Sequence, residues 1–285
     1  MANTPALQKR FIDQSYESKL SQLELYLNLS KQYLQALYYS PADKQFVGFE
    51  EYYLGDNESW SLALDPIRLA VQEFSGDFKR VQLCLSTPIY THIPTVLFIE
   101  SVAENYLLLN HKVPVKSSEV KSNEVSSLQL TVAYEFPFLI ENVFQAHFNL
   151  SGIHHESVAL LEYFSAKKKR EKNEVYLHVQ YHHFHLVQFN ENGLVFYNRF
   201  EYSTVEDFMY YLLYAFEQLK IDRESVNLLV FGELEEESSV YKMLYKYVRK
   251  LNIEKRPKSI NESQVLSQLG ESHFFNLFNQ YLCES

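Results

Sequence analysis

The stretch EVYLHVQYHHFHLVQFNENGLVFYNRFEY, Glu174 to Tyr202, decides the fold. Glu174 to Tyr181 alternates apolar and polar residues, with Val175, Leu177, Val179 and Tyr181 on one face, the period of a β-strand. His183 to Asn190 repeats the pattern through Phe184, Leu186 or Val187, and Phe189. Asn192-Gly193 leads into Leu194 to Tyr202, and Asn-Gly between alternating runs marks a tight hairpin. Three antiparallel strands are predicted.

The residues that follow extend this unit. Ser203 or Thr204 is placed to cap a helix, with Glu206 and Asp207 in its first turn, where the helix dipole favours negative charge. Phe208, Met209, Tyr211, Leu212, Leu213, Ala215, Phe216 and Leu219 make that helix apolar almost all round, which predicts cover on more than one side. Asn227 to Phe231 is a short continuous apolar run, as expected of a strand buried on both faces. Gly232 and an acidic loop then lead to a helix from about Ser238 to Lys250.

The same order appears earlier. Leu20 to Leu29 alternates, Tyr33 to Tyr39 and Gln45 to Leu54 read as two further strands, and Pro41 to Lys44 turns between them. Asp56 or Asn57 is expected to cap a helix to about Phe74, with Pro66 restarting it, and Arg80 to Ser86 is an apolar strand. Strand, strand, strand, helix, strand thus occurs at 20–86 and again at 174–232, the signature of an internal repeat.

The other segments read more simply. Residues 1 to about 18 form a polar lead-in. Pro94 to Asn110 is predicted helical, Val115 to Ser127 a flexible loop, and Leu128 to Glu135 a strand. Pro137 opens a helix to Phe148, Gly152 to Ser157 is extended, and Val158 to Arg170 is helical. The charged run Lys167 to Lys172 marks the boundary between lobes. After a short strand near Ile253, Glu271 to Leu282 forms an amphipathic helix whose Phe274, Phe275, Phe278, Tyr281 and Leu282 dock on the body.

Composition narrows the function. With 285 residues, 46% hydrophobic and 22% charged, the chain is an ordinary globular protein. A net charge of −10 argues against nucleic acid or an anionic membrane as main partner, since both need a basic footprint. Cys84 and Cys283 are isolated, which indicates a reducing compartment. No run of signal-peptide or membrane-spanning length is present, so a cytoplasmic location without membrane insertion is expected. Only 7 glycines occur, roughly a third of the share expected at about 7% usage, which weighs against phosphate-cradling loops. The 22 Tyr and 21 Phe first suggest an aromatic core, and secondarily an interface.

Candidate sites are weak. His178, His182, His183 and His185 follow His154 and His155. His183 and His185 share one strand face, and His178 shares the opposite face with His182 if the strand runs through. No Cys or carboxylate has matching local spacing, so no metal is expected. Ser86-Thr87-Pro88 and His92 follow a buried strand, where active-site loops often sit, but they read as a structural turn. No Walker loop, dinucleotide fingerprint or helical H-E-x-x-H is present.

A duplicated three-stranded meander, each copy followed by a helix and a strand, resembles the actin-like ATPase superfold of actin, sugar kinases and the Hsp70 ATPase domain. The stretch at 174–202 is similar to a Bacteroidetes family, domain of unknown function 3822, with that fold. Within the superfold the chain also resembles the pilus and type II secretion assembly proteins of the cytoplasm. The resemblance implies an α/β (α+β), ribonuclease H-like duplicated fold of two lobes, each with a mixed five-stranded sheet and flanking helices. The lobes are expected at 1–170 and 171–285.

It also implies where nucleotide chemistry belongs: in the turn between the first two strands of each lobe, where a carboxylate organises Mg²⁺ and a glycine admits phosphate. Here the first turn holds Asn28, Ser30 and Lys31, the second Tyr181 and His182, and neither has an acid or a glycine. The adenosine loop, glycine-rich in the family, is Gly232 with Glu233, Glu235, Glu236 and Glu237, charges that repel a polyanion. The expectation is a catalytically inactive, pseudo-ATPase interaction or assembly module with no catalytic residue and no cofactor. Its partner would be an unidentified protein or a second copy. The alternative is an actin-like ATPase or sensor with unusual ligands in these degenerate positions.

Overall fold

The computed structural model describes residues 4–74, 76–111, 118–167 and 174–282. The chain forms two compact units, Met1–Glu162 with Lys258–Gln268 and Leu277–Ser285, and Tyr163–Pro257 with Leu269–Asn276. Of the charged run expected at the boundary, 168–172 lie outside the described residues.

In unit 1, strands β1 (Ala6–Ile12), β2 (Glu24–Leu29), β3 (Tyr33–Ser40), β4 (Gln45–Tyr53), β5 (Arg80–Leu85) and, later in the chain, Leu150–His155 build one sheet. The Leu150–His155 strand closes one edge, and the order runs β1-β4-β3-β2-β5 and then this strand. The meander pairs antiparallel, while β2, β5 and Leu150–His155 run parallel. Helix α1 (Trp60–Glu73) buries Ala63, Ile67, Ala70 and Val71, and Phe74 at its end meets Tyr52 at 5.3 Å between ring centres. That contact assigns to α1 the sheet face bearing Leu25, Leu27, Ala36 and Glu50. The opposite face carries Tyr26, which meets Tyr281 at 6.3 Å, and Phe46 packs against Phe278 at 5.0 Å.

A second, three-stranded sheet lies in the same unit: β6 (Tyr90–Pro94), β7 (Ser118–Val125) and β8 (Leu130–Pro137), in the order β6-β8-β7. Helices α2 (Ala103–Asn110) and α3 (Phe138–Gln145) accompany it, and the strand Leu150–His155, now β9, leads into α4 (Glu156–Ser165).

Unit 2 carries β10 (Glu174–Val179), β11 (His183–Asn190), β12 (Gly193–Glu201), α5 (Val205–Gln218), β13 (Asn227–Gly232), α6 (Ser239–Tyr247) and β14 (Lys250–Ile253). Its sheet order is β12-β11-β10-β13-β14. Val175, Leu177, Phe184 and Leu186 pack with Phe208, Leu212 and Phe216 of α5, each worth about 1.5–3 kcal/mol when fully buried. On the other face Phe231 meets Phe275, at the start of α7 (Phe275–Leu282), at 4.7 Å.

The two meanders agree in detail. Strands of 6, 8 and 9 residues, a 14-residue helix and a 6-residue strand occur in both. Each shows a register shift at the same place in its hairpin, between Tyr38 and Tyr39 and between Gln188 and Phe189.

Several expectations are corrected. The lead-in contains β1, which makes the sheet of unit 1 six-stranded rather than five-stranded. Lys9 and Arg10 of β1 pair with Glu51 and Glu50, so this edge strand is held by charge that hides its apolar alternation. Within the segment read as a loop, residues 118–125 form β7, a polar strand paired along its length with β8, while 115–117 lie outside the described residues. The predicted helix from Pro94 to Asn110 is two short 3-10 turns followed by α2. Ser59, not Asp56 or Asn57, caps α1, its hydroxyl accepting the Leu62 N–H, and Pro66 lies inside one continuous helix. Helix α5 is covered by the sheet and by α6, as its sequence predicts, while its remaining face leaves Tyr210, Tyr211 and Tyr214 exposed.

Candidate functional site

The site implied by the sequence begins at the β2–β3 turn of unit 1. Period-2 alternation and the strand register set Asn28, Gln35, Glu51 and Lys9 side by side across four strands. They form a chain of bonds. The Asn28 amide donates to Gln35 Oε1 at 2.9 Å, the Gln35 amide donates to Glu51 Oε2 at 2.8 Å, and Lys9 Nζ lies 3.0 Å from Glu51 Oε1. Asn28, Gln35 and Glu51 are all buried, and Asn28 Oδ1 is left without a hydrogen-bond partner. Beyond Asn28 the row continues to Cys84 and His154. Burial pushes the Cys84 thiol up and holds His154 below the ordinary imidazole value, with Arg80 adding to the latter.

Ser30 and Lys31 are engaged locally. Ser30 Oγ accepts the N–H groups of Gln32 and Tyr33, and Lys31 Nζ donates to the Glu58 carbonyl at 2.9 Å. Asn57 braces the same turn through the carbonyls of Lys31, Leu54 and Gly55. Glu51 is the acid on this face that reading the turn alone misses. The signal was the pair Glu50-Glu51 inside a strand, which must send one carboxylate to each face. Glu50 takes the other face, accepting Tyr38 and Tyr52 hydroxyls at 3.2 and 3.0 Å. Burial raises its pKa, against the lowering effect of Arg10 and both tyrosines.

Unit 2 places different residues at the same positions of its strands: His178, His185 and Arg199 stand in one cross-strand row. The rings of His178 and His185 are 5.7 Å apart, and those of His183 and His185 5.1 Å. His178 therefore faces with His183 and His185, not with His182, because the strand breaks at the turn and pairs residue for residue instead. All three are buried, while His182 is exposed in the turn. The Tyr197 hydroxyl meets His185 Nδ1 at 2.7 Å.

The second turn is closed by its own neighbours. Gln180 N–H donates to the His183 carbonyl, Tyr202 N–H to that of His182, and the Tyr202 hydroxyl to that of Gln180 at 2.5 Å. Burial, with Glu233 adding, pushes the Tyr202 phenol well up. Tyr181 is half-buried beside this closure. Gly232 has φ +92°, and a Cβ there would strike the Val179 carbonyl oxygen and crowd His178. Its backbone freedom serves a close approach between β13 and β10. Glu233 accepts the Phe274 N–H at 3.0 Å, so one of its carboxylate oxygens holds protein backbone.

The residues after β5 come together with the end of β9. His155 Nε2 lies 3.1 Å from the Thr87 carbonyl and therefore carries the proton, which leaves Nδ1 to accept both N–H and O–H of Ser157. His92 Nε2 lies 3.3 Å from the same Ser157 oxygen. This Ser–His pair resembles an activated nucleophile. With both residues fully buried and His155 bonded at the start of α4, it is a helix cap instead.

A model of the family described as "Protein of unknown function (DUF3822)" matches residues 13–251, and the chain belongs to that family. One similar solved structure comes from Bacteroides thetaiotaomicron and is described as a protein with actin-like ATPase fold and unknown function. It is 22% identical with a TM-score of 0.73, covering 93% of this chain and 98% of that one. Another is a PilM-PilN type IV pilus biogenesis complex, 10% identical with a TM-score of 0.64, covering 91% of this chain and 98% of its own. No curated protein matches the chain. The fold is that of the actin-like ATPases. Among the described residues no helix is long and apolar enough to cross a membrane.

Proposed function

We propose that this DUF3822 protein is a non-hydrolysing actin-like module of the cytoplasm that works by binding another protein. One observation carries the reading. Where the superfold's first phosphate turn needs a free carboxylate, Asn28 and Gln35 bond each other, and Glu51 is taken up by Gln35 and Lys9. Phosphoryl transfer needs charge neutralisation and positioned phosphates. Ser30, Lys31 and one carboxylate oxygen of Glu233 are committed to the protein's own backbone, and Tyr181 and His182 fill the second turn.

The PilM-PilN complex supports the binding half of the reading, as an instance of this fold paired with a protein. The test combines two readouts on the full chain. Phosphate release from Mg-ATP should stay at the level of heat-killed protein, and affinity capture from native cytoplasm should recover one protein in stoichiometric amount. Turnover above the control overturns the reading.

A further inference from the structure

Unit 1 contains a pocket that the nucleotide question leaves aside. It opens between α2 and the β7–β8 edge of the three-stranded sheet, with a volume of about 320 Å³. Leu107, Leu108 and Val120 give it apolar walls, and Glu100, Glu104 and Glu135 give it negative charge. Glu135 is 6% exposed, and its Oε1 accepts the Ser118 hydroxyl at 3.0 Å. Burial raises its pKa, while the Ser118 bond, Lys31 and His111 act the other way. A carboxylate set this deep is stabilised by any cation that reaches it.

The segment that supplies Glu100, Glu104 and Leu108 to the pocket also exposes large apolar side chains. Val96, Leu97, Ile99 and Leu109 are exposed at 91, 62, 58 and 80%, all within one segment that leads into and along α2. Large side chains exposed together in this way mark interaction surfaces more often than chance scatter does. A small amine would fill the acidic pocket yet leave these residues in water. An extended chain covers both.

We propose that this surface docks a basic segment of a partner protein. A Lys or Arg would enter beside Glu100, Glu104 and Glu135, and flanking aliphatic residues would cover Leu109 and Val96. Lys and Arg suit the pocket because their stems are apolar and their heads are charged. A second copy of this chain suits it poorly, with a net charge of −10. The proposal rests on the protein-binding reading above and names the partner's chemistry.

The test uses full-length protein and two fluorescein-labelled nine-residue peptides, one alternating Leu and Arg, the other Leu and Glu, read by anisotropy. The Leu/Arg peptide should bind saturably and the Leu/Glu peptide should not. Glu104→Lys and Leu109→Asp, both at exposed positions, should each weaken binding at least tenfold. Glu206→Lys, which changes the charge equally on α5, should leave it unchanged. Equal loss with Glu206→Lys, or no loss with Glu104→Lys and Leu109→Asp, overturns the site. A captured partner whose binding survives both variants also overturns it but leaves the protein-binding reading standing. ATP turnover alongside specific peptide binding does the reverse.

Discussion

Replacing Gln35 with Leu tests the buried polar row directly. Gln35 is 4% exposed, accepts the Asn28 amide at 2.9 Å and donates to Glu51 at 2.8 Å. A bond to an ionised group contributes about 1.5–3 kcal/mol and a neutral one about 0.5–1.5. The added apolar burial of Leu returns about 1 kcal/mol, and Glu51 keeps Lys9 at 3.0 Å. The expected loss is about 2 kcal/mol, read as a lower urea midpoint with unchanged slope. Asn28→Leu combined with Gln35→Leu should cost less than the two single changes added, because the double change leaves no orphaned amide. A loss below about 0.5 kcal/mol, within the range of surface substitutions, would refute the reasoning. It would mean that Asn28 and Gln35 do not satisfy each other and stand ready for a ligand.

Gly232→Ala should cost about 1–3 kcal/mol for its positive φ, with the collision at Val179 added, and thermal unfolding of the purified variant checks it. Phe278→Ala removes a fully buried ring packed on Phe46 and should cost about 3–5 kcal/mol; unchanged stability would show that the C-terminal helix is not part of the unit 1 core. Glu50 binds its proton more tightly folded than unfolded. Its contribution to stability is therefore full at low pH and is lost as pH rises from the ordinary carboxylate value through the raised one. Melting temperatures of wild type and Glu50→Gln across that window should converge at the acid end and separate towards neutrality, with the wild type lower.

The inner strands of the meanders were legible because they are buried and alternate, while β12, at a sheet edge and only partly buried, was announced by the Asn-Gly turn before it. Val175, Leu177 and Val179 announce β10 as plainly as Leu25, Leu27 and Leu29 announce β2. The edge strands β1 and β7 gave no such signal. The strands β1 and β7 carry Lys9, Arg10, Glu119 and Lys121, whose pairing is with distant residues or with each other. Which residues occupy the turns was readable, but what they bond was not. Asn28 finds Gln35 only through the β2–β3 register, and Glu51 joins them only across a third strand. His183 and His185 share a face as their spacing predicts, but His178 joins them instead of facing away, for the same reason. The turn at Gln180 to His182 resets the alternation, and pairing with β11 decides which side His178 takes.

On the proposed function, this actin-like fold has exchanged its phosphate-binding turns for side chains that bind each other. Titration of a fluorescent ATP analogue with Mg²⁺ into the full chain tests it most directly. No saturable binding is expected below millimolar analogue, for the wild type and for Ser30→Ala and Lys31→Ala alike. Micromolar binding to the wild type that is lost in either variant would contradict it, and would make the β2–β3 turn a nucleotide site.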